Sequence, residues 1–552
     1  LYYISLDEAV VFGVFENEMR LLDSISRGEL SSDLTEGNYL VIAHRIKMGT
    51  GDRHRICIGL GSRSNDCCRK AISVSGDLRN IIEDRWNRWF NTLPRLPFKD
   101  DREKKAYYKS WWVIKTNYYD HPEWGFCITE ALPVYKGIWQ WAMPSVEWHS
   151  GQNTEYTSQW IKKAMDMLID NQREDGYITH TIYVDEEIPG ERWAKGKGIV
   201  QTPHLPWVAI RYYHTTKNRE PLEKWYRAFE RYYEYLCRTR DEEMMNLHLW
   251  GITASFDAGL DTTCAFQKVT YGEDGVKEDF CYPAIFASER RRYEEAMAKL
   301  AEILNKDGSG WLKEADATKA AMDRYLWDDD KKWYGVLHQD GTLDTRVGVD
   351  GLFPLVYHFV DEDRATMMKN NFSSLIGPYG VRTVAEGEPG YREDVYWRGA
   401  AWPKTGSLAM EICRHYYPDL MDKVYKSVVN MALVRPSIWE CYVAQTGRLA
   451  RSDHGFICTP CVSSNVGAGD IIGSLMIYHG FDMYGMDESL PLTEMHNFHW
   501  QGMRITLEKK NGGWYALFSG EEKESGTVQF IEDQKHYAIY ADTTAGLWVK
   551  VK

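Results

Sequence analysis

Two carboxylates, far apart along the chain, stand in surroundings that could make them reactive. Asp261 lies in Ser255-Phe256-Asp257-Ala258-Gly259-Leu260-Asp261-Thr262-Thr263, and Glu440 in Ser437-Ile438-Trp439-Glu440-Cys441-Tyr442-Val443-Ala444-Gln445-Thr446-Gly447. Each sits among aromatic and small residues near an expected loop. A carboxyl group walled by aromatic rings loses hydration and keeps its proton to higher pH, as a general acid must, while a second, ionised one can activate water. Two such groups held apart on a rigid scaffold are what hydrolysis of a glycosidic bond requires. Each also has a plainer reading. Asp261 beside Gly259 is a turn former, and Glu440 is a helix-end glutamate paired with Arg435. Between them, Tyr396-Trp397-Arg398-Gly399-Ala400-Ala401-Trp402-Pro403 supplies an arginine fork suited to sugar hydroxyls or a carboxylate, and tryptophan faces for stacking. Gly399 allows close approach, and Pro403 opens the next helix. A buried arginine that merely braces the scaffold is the competing explanation.

Composition narrows the partner. The 552 residues carry a formal net charge of -14, which disfavours nucleic acid or an anionic membrane surface, since both attract clustered Lys and Arg. Aromatic residues make up 14% of the chain, with 22 Trp and 35 Tyr. Rings in that number serve either a large core or the stacking of sugars. A small, neutral carbohydrate is therefore the expected partner. No run approaches the ~18 apolar residues of a membrane helix, and the start at Leu1 lacks the order of a signal peptide. The 11 Cys, an odd number scattered through the chain, suit free thiols in a reducing, cytoplasmic setting. Cys458-Thr459-Pro460-Cys461 has the spacing of a metal half-site without a matching second half, and Cys67-Cys68 reads as two unpaired thiols. Asp328-Asp329-Asp330 reads as a solvated turn before it reads as a calcium site. No metal and no cofactor is expected.

The elements that must hold these residues follow from hydrophobic period. Residues 1–76 read as a β-sandwich-like N-terminal module, with strands from Ala9 to Phe15, Tyr39 to Lys47 and Arg55 to Leu60. Leu78, Ile81, Ile82, Trp86, Trp89 and Phe90 recur at helical spacing, giving a linker helix within 77–100. Over 101–485 one helical segment follows another, joined by connections that are alternately short and long. That order suggests a mainly α fold, an (α/α)6 toroid of alternating inner and outer helices whose long loops form a bowl on one face. Residues 486–552 return to a period of two. Asn511-Gly512-Gly513 separates Met503 to Leu507 from Trp514 to Phe518 as a hairpin, within a small C-terminal β appendage.

Three segments carry a family resemblance. Tyr396-Trp397-Arg398-Gly399 with Trp402-Pro403 resembles the Tyr-Trp-Arg-Gly-x-x-Trp signature of the α/α-toroid clan that includes glycoside hydrolase family 63, the trehalases and the mannosylglycerate hydrolases. The Asp261 segment is similar to that clan's Trp-Glu-Ser-Gly-x-Asp-Asn-Ser motif, with Phe256, Asp257 and Ala258 in its first three places. Trp439-Glu440-x-Tyr442 followed by Thr446-Gly447 is similar to its Trp-Glu-x-Tyr-x-x-x-Thr-Gly motif. The resemblance implies an inverting, exo-acting hydrolase of an α-glycosidic bond in a small oligosaccharide or glycoside, α-glucosidase-like, with Asp261 as general acid and Glu440 as general base. It implies sugar contacts from Trp141, Phe256, Asp257, Gly259, Tyr396, Trp397, Arg398, Gly399, Trp402, Trp439 and Tyr442. One departure stands out: the clan has Trp-Asp before its first long loop, and this chain has Trp141-Ala142. Ala142 accepts no hydrogen bond from a sugar hydroxyl, and Glu147 and His149 are the nearest polar replacements. Two other readings remain open, a polysaccharide lyase using Tyr396 and Arg398, and a sugar-binding protein without turnover.

Overall fold

The computed structural model describes residues 2–5, 11–15, 39–43, 57–60, 78–121, 125–129, 137–152, 159–183, 198–266, 280–451, 463–520, 524–544 and 546–552. Cys67-Cys68 and Cys458-Thr459-Pro460-Cys461 lie outside the described residues, as does the side chain of His149. Two compact units divide the chain, Leu1–Asn91 and Thr92–Lys552. In the first, β1 (Tyr2–Ser5) pairs antiparallel with β4 (Cys57–Leu60), and β2 (Val11–Phe15) pairs antiparallel with β3 (Tyr39–Ala43). Helix α1 (Leu78–Phe90) follows, and Trp86, Trp89 and Phe90 pack on one another with ring centroids 5.1–5.8 Å apart.

The second unit is mainly helical. Its helices are α2 (Asp101–Thr116), α3 (Met143–Gln152), α4 (Trp160–Asp170), α5 (Leu205–Thr216), α6 (Leu222–Cys237) and α7 (Ala284–Ile303). They continue with α8 (Ser309–Tyr325), α9 (Phe353–Val356), α10 (Glu362–Leu375), α11 (Pro403–His415), α12 (Met421–Leu433) and α13 (Asn465–Tyr478). Sequence decides which of these sit inside. Helix α13 reads Asn-Val-Gly-Ala-Gly-Asp-Ile-Ile-Gly-Ser-Leu-Met-Ile-Tyr, with one charged residue, and every position from Asn465 to Ile477 is buried. Such a helix is apolar on all sides and must be surrounded. By contrast α8 buries only Ala315, Thr318, Ala321 and Met322 of its 17 residues, the stripe of a helix with one face in water. Helices α3, α5, α7, α9, α11 and α13 are packing neighbours in that order, and α13 also packs on α3. Helices α2, α4, α6, α8 and α12 pack against members of this set. No described helix is long and apolar enough to cross a membrane.

Caps fix where several helices begin. Asp100, Asp361 and Ser464 each accept a hydrogen bond from the backbone N–H three residues on, at 2.8, 2.8 and 2.9 Å, satisfying a donor the helix cannot. Helix α7 is preceded by Pro283, which has no such side chain. Asp350, on the turn before α9, caps it from a distance: its carboxylate accepts from Ala284 N at 3.2 Å and Ile285 N at 2.8 Å.

The C-terminal strands form two sheets. β6 (Met495–Trp500), β7 (Met503–Lys510), β8 (Gly513–Ser519) and β11 (Trp548–Lys550) make one; β5 (Ser489–Pro491), β9 (Ser525–Glu532) and β10 (Lys535–Asp542) make the other. Asn511 and Gly512 both take positive φ, +49° and +77°, as a two-residue hairpin turn demands. Asp328 does not present an open calcium ligand. Its carboxylate closes the turn by accepting from Asp330 N, Lys331 N and Thr345 Oγ1 at 2.7–3.0 Å.

A buried charge network joins α7 to its neighbours. Arg290 donates to Asp241 Oδ2 at 2.8 Å and Glu294 Oε1 at 3.0 Å, while Tyr233 and Thr318 donate to Glu294 at 2.6 and 2.8 Å. Removing the cation leaves two carboxylates uncompensated in the interior. Arg290→Met is therefore expected to destabilise the second unit by about 3–5 kcal/mol, read as a lower midpoint in urea unfolding.

Candidate active site

Asp261 follows a short 3-10 helix, Ser255–Ala258, that ends at Gly259 with φ +66°. A Cβ at Gly259 would meet nothing within 4 Å, so the glycine is there for its left-handed backbone and not to admit a close neighbour. Asp257 faces inward. Its carboxylate accepts from Val200 N, Thr253 N and Ala254 N at 2.9–3.2 Å, and Arg240 lies 3.6 Å away with both side chains wholly buried. Read from sequence as a sugar contact, Asp257 instead holds the loop that carries Asp261. Phe256 is half-buried on the same turn.

Glu440 is buried and lies on a segment hydrogen-bonded to the one that bears Trp397. Tyr442 and Ala401 exchange backbone bonds of 2.8 Å in both directions, and Ser464 N donates to Ile438 O at 2.9 Å. Beyond it, Val443 N donates to Arg448 O, Gly447 N returns to Val443 O, both at 2.8 Å, and Gly447 takes φ +67° to close the turn. Tyr442 is fully buried, its hydroxyl accepting from Trp439 N at 2.7 Å, so it braces the Glu440 peptide and does not reach a ligand. Arg435 stacks over the Trp439 ring at 5.1 Å and donates to Gly447 O, which occupies it with the turn.

The Tyr396-Trp397 step ties the two carboxylate loops together. Trp397 N donates to Thr262 Oγ1 at 3.3 Å, next to Asp261, and the Tyr396 hydroxyl donates to Glu440 Oε1. The Trp397 ring stacks on Trp402 at 4.0 Å and 16°, and Trp402 Nε1 donates to Tyr396 O at 2.9 Å. Trp402 thus lies beneath Trp397, and Trp397 presents the upper face. Arg398 is buried and donates through Nε to Gly390 O at 3.1 Å, and a Cβ at Gly399 would stand 2.6 Å from Arg392 O. Both hold the loop's shape.

Burial raises the Asp261 carboxyl to about 7, and the nearby charge of Glu440 adds to the rise. A group so placed is about half protonated in neutral solution.

Beside the loop that leads into Asp261 opens a cavity of about 480 Å³, counted out to open solvent; neither Asp261 nor Glu440 lines it. Trp141, Gly259, Leu260 and Trp397 line it, together with Thr202, His204, Trp207, Lys404 and Tyr484, which sequence reasoning had not singled out. A signal for Lys404 was present: a lysine in the first turn of a helix opposes the positive end of the helix dipole. Ala142 does not face this space. It is buried and lines a separate small cavity with Ile138, Val146 and Trp160. Glu147 does not replace it either, since it is buried with Arg211 Nε 3.5 Å from Oε2. Burial pushes Glu147 up to about 7 despite that arginine.

A metal-like grouping exists among the described residues, His248, Glu294 and Glu314, with ligand atoms within 4.8 Å. The guanidinium of Arg290 lies 3.3 Å from His248 Nε2, and Glu294 already accepts from three donors. A fixed positive charge and occupied oxygens make this a poor cation site.

The same arrangement of helices occurs in solved structures. The glycoside hydrolase family 63 mannosylglycerate hydrolase of Thermus thermophilus, solved with glucose, aligns with a TM-score of 0.55 at 16% identity, covering 67% of this chain and 99% of that one. The α-L-rhamnosidase of Dictyoglumus thermophilum aligns at 0.50 and 13% identity over 82% of this chain and 49% of its own. In sequence, a mannosylglycerate hydrolase of Rubrobacter radiotolerans is 26% identical over 193 residues, 32% of this chain and 43% of that relative, so the chain spans less than half of the relative's length. Residues 135–459, more than half the chain, match the mannosylglycerate hydrolase MGH1-like glycoside hydrolase domain, and the chain belongs to that family of glycoside hydrolases.

Proposed function

We propose that this glycoside hydrolase is inverting and exo-acting, that it cleaves an α-glycosidic bond at the end of a small oligosaccharide or glycoside, and that Asp261 and Glu440 are its acid and base. The reading includes an (α/α)6 toroid, with α3, α5, α7, α9, α11 and α13 as the inner ring, an N-terminal β-rich module and a C-terminal β appendage. The buried, free thiols of Cys264, Cys413 and Cys441 favour a reducing, cytoplasmic setting.

One observation carries the assignment: Asp261 is raised to about 7 by burial and by the nearby charge of Glu440, so two carboxyl groups distant in sequence lie close enough to act on one another. In the proposed reaction Asp261 gives its proton to the glycosidic oxygen as the C–O bond breaks. Glu440 takes a proton from a water that attacks the anomeric carbon from the other face, and the product has inverted configuration. Water is consumed, Asp261 is left ionised and Glu440 protonated, and exchange with solvent resets both. Inversion needs the carboxyl groups roughly 6.5–9.5 Å apart, room for that water. Trp397 and Trp141 would stack on the sugar.

Asp261→Asn and Glu440→Gln are each expected to lower kcat by at least ~10²-fold, measured on a panel of α-glycosides with NMR detection of the first-formed anomer; full turnover in both variants would end the proposal. The pH profile follows from the raised Asp261. Above about pH 7 the acid is lost, and kcat/KM should fall about tenfold per pH unit. Stability moves with the same group. Between the ordinary aspartate range and about 7 the folded state holds a proton that the unfolded chain releases, so stability falls as pH rises through that window. Asp261→Asn should abolish this slope, making the variant more stable than the parent at pH 8 and less distinguishable from it at pH 4 in thermal melts.

A further inference from the structure

The cavity beside Asp261 has an unusual distribution of charge. Lys404 is the permanently charged side chain among the described residues that line it. The carboxylates nearby are turned away and engaged. Asp470 Oδ1 accepts from Ser145 at 2.9 Å and Ser407 at 3.3 Å, and Asp470 lines a second cavity of about 300 Å³ that Lys404 also borders. Glu289 accepts from the Tyr357 hydroxyl at 2.5 Å and has His204 Nδ1 at 3.1 Å. Among the described residues that line the wall there is no carboxylate; its polar groups include the Lys404 ammonium, the Thr202 hydroxyl and the His204 ring.

Lys404 stands where a cation is costly. It lies in the first turn of α11 with its side chain 14% exposed, so both the helix dipole and lost hydration oppose it. Burial pulls its pKa down, and Tyr484, Asp470 and Glu289 outweigh that and hold it above an ordinary lysine. Asp470 Oδ1 is 3.7 Å from the ammonium, beyond a hydrogen bond, and the Tyr484 ring centre is 5.6 Å away. An ammonium has three donors. With these neighbours below it, Lys404 can still direct a donor into the cavity.

We propose that Lys404 selects a carboxylate on the terminal sugar, so that the preferred substrates are α-linked uronides. For the reaction this rests on the hydrolase reading; for the ligand it rests on the cavity alone. The carboxylate would meet the ammonium from above while Trp141 and Trp397 cover the ring, a charged hydrogen bond formed out of water.

The test compares 4-nitrophenyl α-D-glucuronide with 4-nitrophenyl α-D-glucoside, which differ only at C6, and adds the α-glucoside of D-glyceric acid. The intact chain should favour the uronide by at least ~10-fold in kcat/KM. Lys404→Met should lower uronide turnover by about 10²-fold and leave the neutral glucoside within about threefold, while Lys404→Arg should retain much of the preference. Thermal melts establish that each variant is folded. Equal loss on both nitrophenyl substrates, or preference for the neutral one, overturns the proposal and leaves the hydrolase reading standing. Lys404-dependent preference for the glyceric acid glucoside places the carboxylate on the leaving group and also overturns it. If no glycoside turns over, calorimetry with free D-glucuronate and D-glucose decides: Lys404-dependent binding of glucuronate alone supports the proposal while the hydrolase reading fails, and no such binding overturns both.

Discussion

The site depends on a single dipeptide being held at both ends. The Trp397 backbone is bonded to Thr262 and the Tyr396 hydroxyl to Glu440, so the two loops that carry carboxyl groups share one rigid connector. Loops on a helical scaffold are the most variable part of a fold. Here the connector is stiffened from beneath by the Trp397–Trp402 stack and the bond from Trp402 Nε1 to Tyr396 O. Hydrogen bonds alone would leave the rings free to tilt, and stacking alone would leave the peptide free to slide. Together they fix orientation and position, which is what acid–base chemistry across a gap asks of its supports.

Desolvation is the common cost that this arrangement carries. The second unit buries Glu147, Asp350, Asp470 and Glu440 and half-buries Asp261, and lost hydration is the leading reason the carboxyl groups of Asp261, Glu147, Asp350 and Asp470 rise. The surroundings sort them into roles. Asp350 faces two backbone N–H groups and caps a helix; Glu147 faces Arg211 and joins α3 to α5. Asp261 stands out because its second cause is another carboxylate, which raises it further, whereas Arg211 pulls Glu147 down, backbone N–H groups pull Asp350 down, and Lys404 with two serine hydroxyls pulls Asp470 down.

Much of this was legible in the residues, for identifiable reasons. Helix α6 and strand β7 are readable because burial imposes a period, and the Asn511-Gly512 turn because few residues accept positive φ twice running. The aromatic segment 396–402 announced a wall, and Trp141, Gly259 and Trp397 do line the cavity. Sequence could not tell which face of each motif looks outward. Asp257, Trp402 and Tyr442 sit in the same motifs and are consumed by the scaffold, a distinction made by hydrogen bonds to residues such as Val200 that no spacing rule connects to them. His204, Trp207, Lys404 and Tyr484 converge from separate helices and loops, and a convergence of that kind has no linear signature.

The cap that Asp350 places on α7 ties a helix end to tertiary structure. Its partners are 65 and 66 residues upstream, so the first turn of α7 acquires its acceptor only after the chain has been made through α8 and folded back. Loop closure must precede the local gain, which raises the effective contact order of an otherwise locally connected helical unit. Helix α7 is thus completed by topology and not by its own sequence, and a fragment ending before residue 350 would present that helix with frayed, unsatisfied N–H groups.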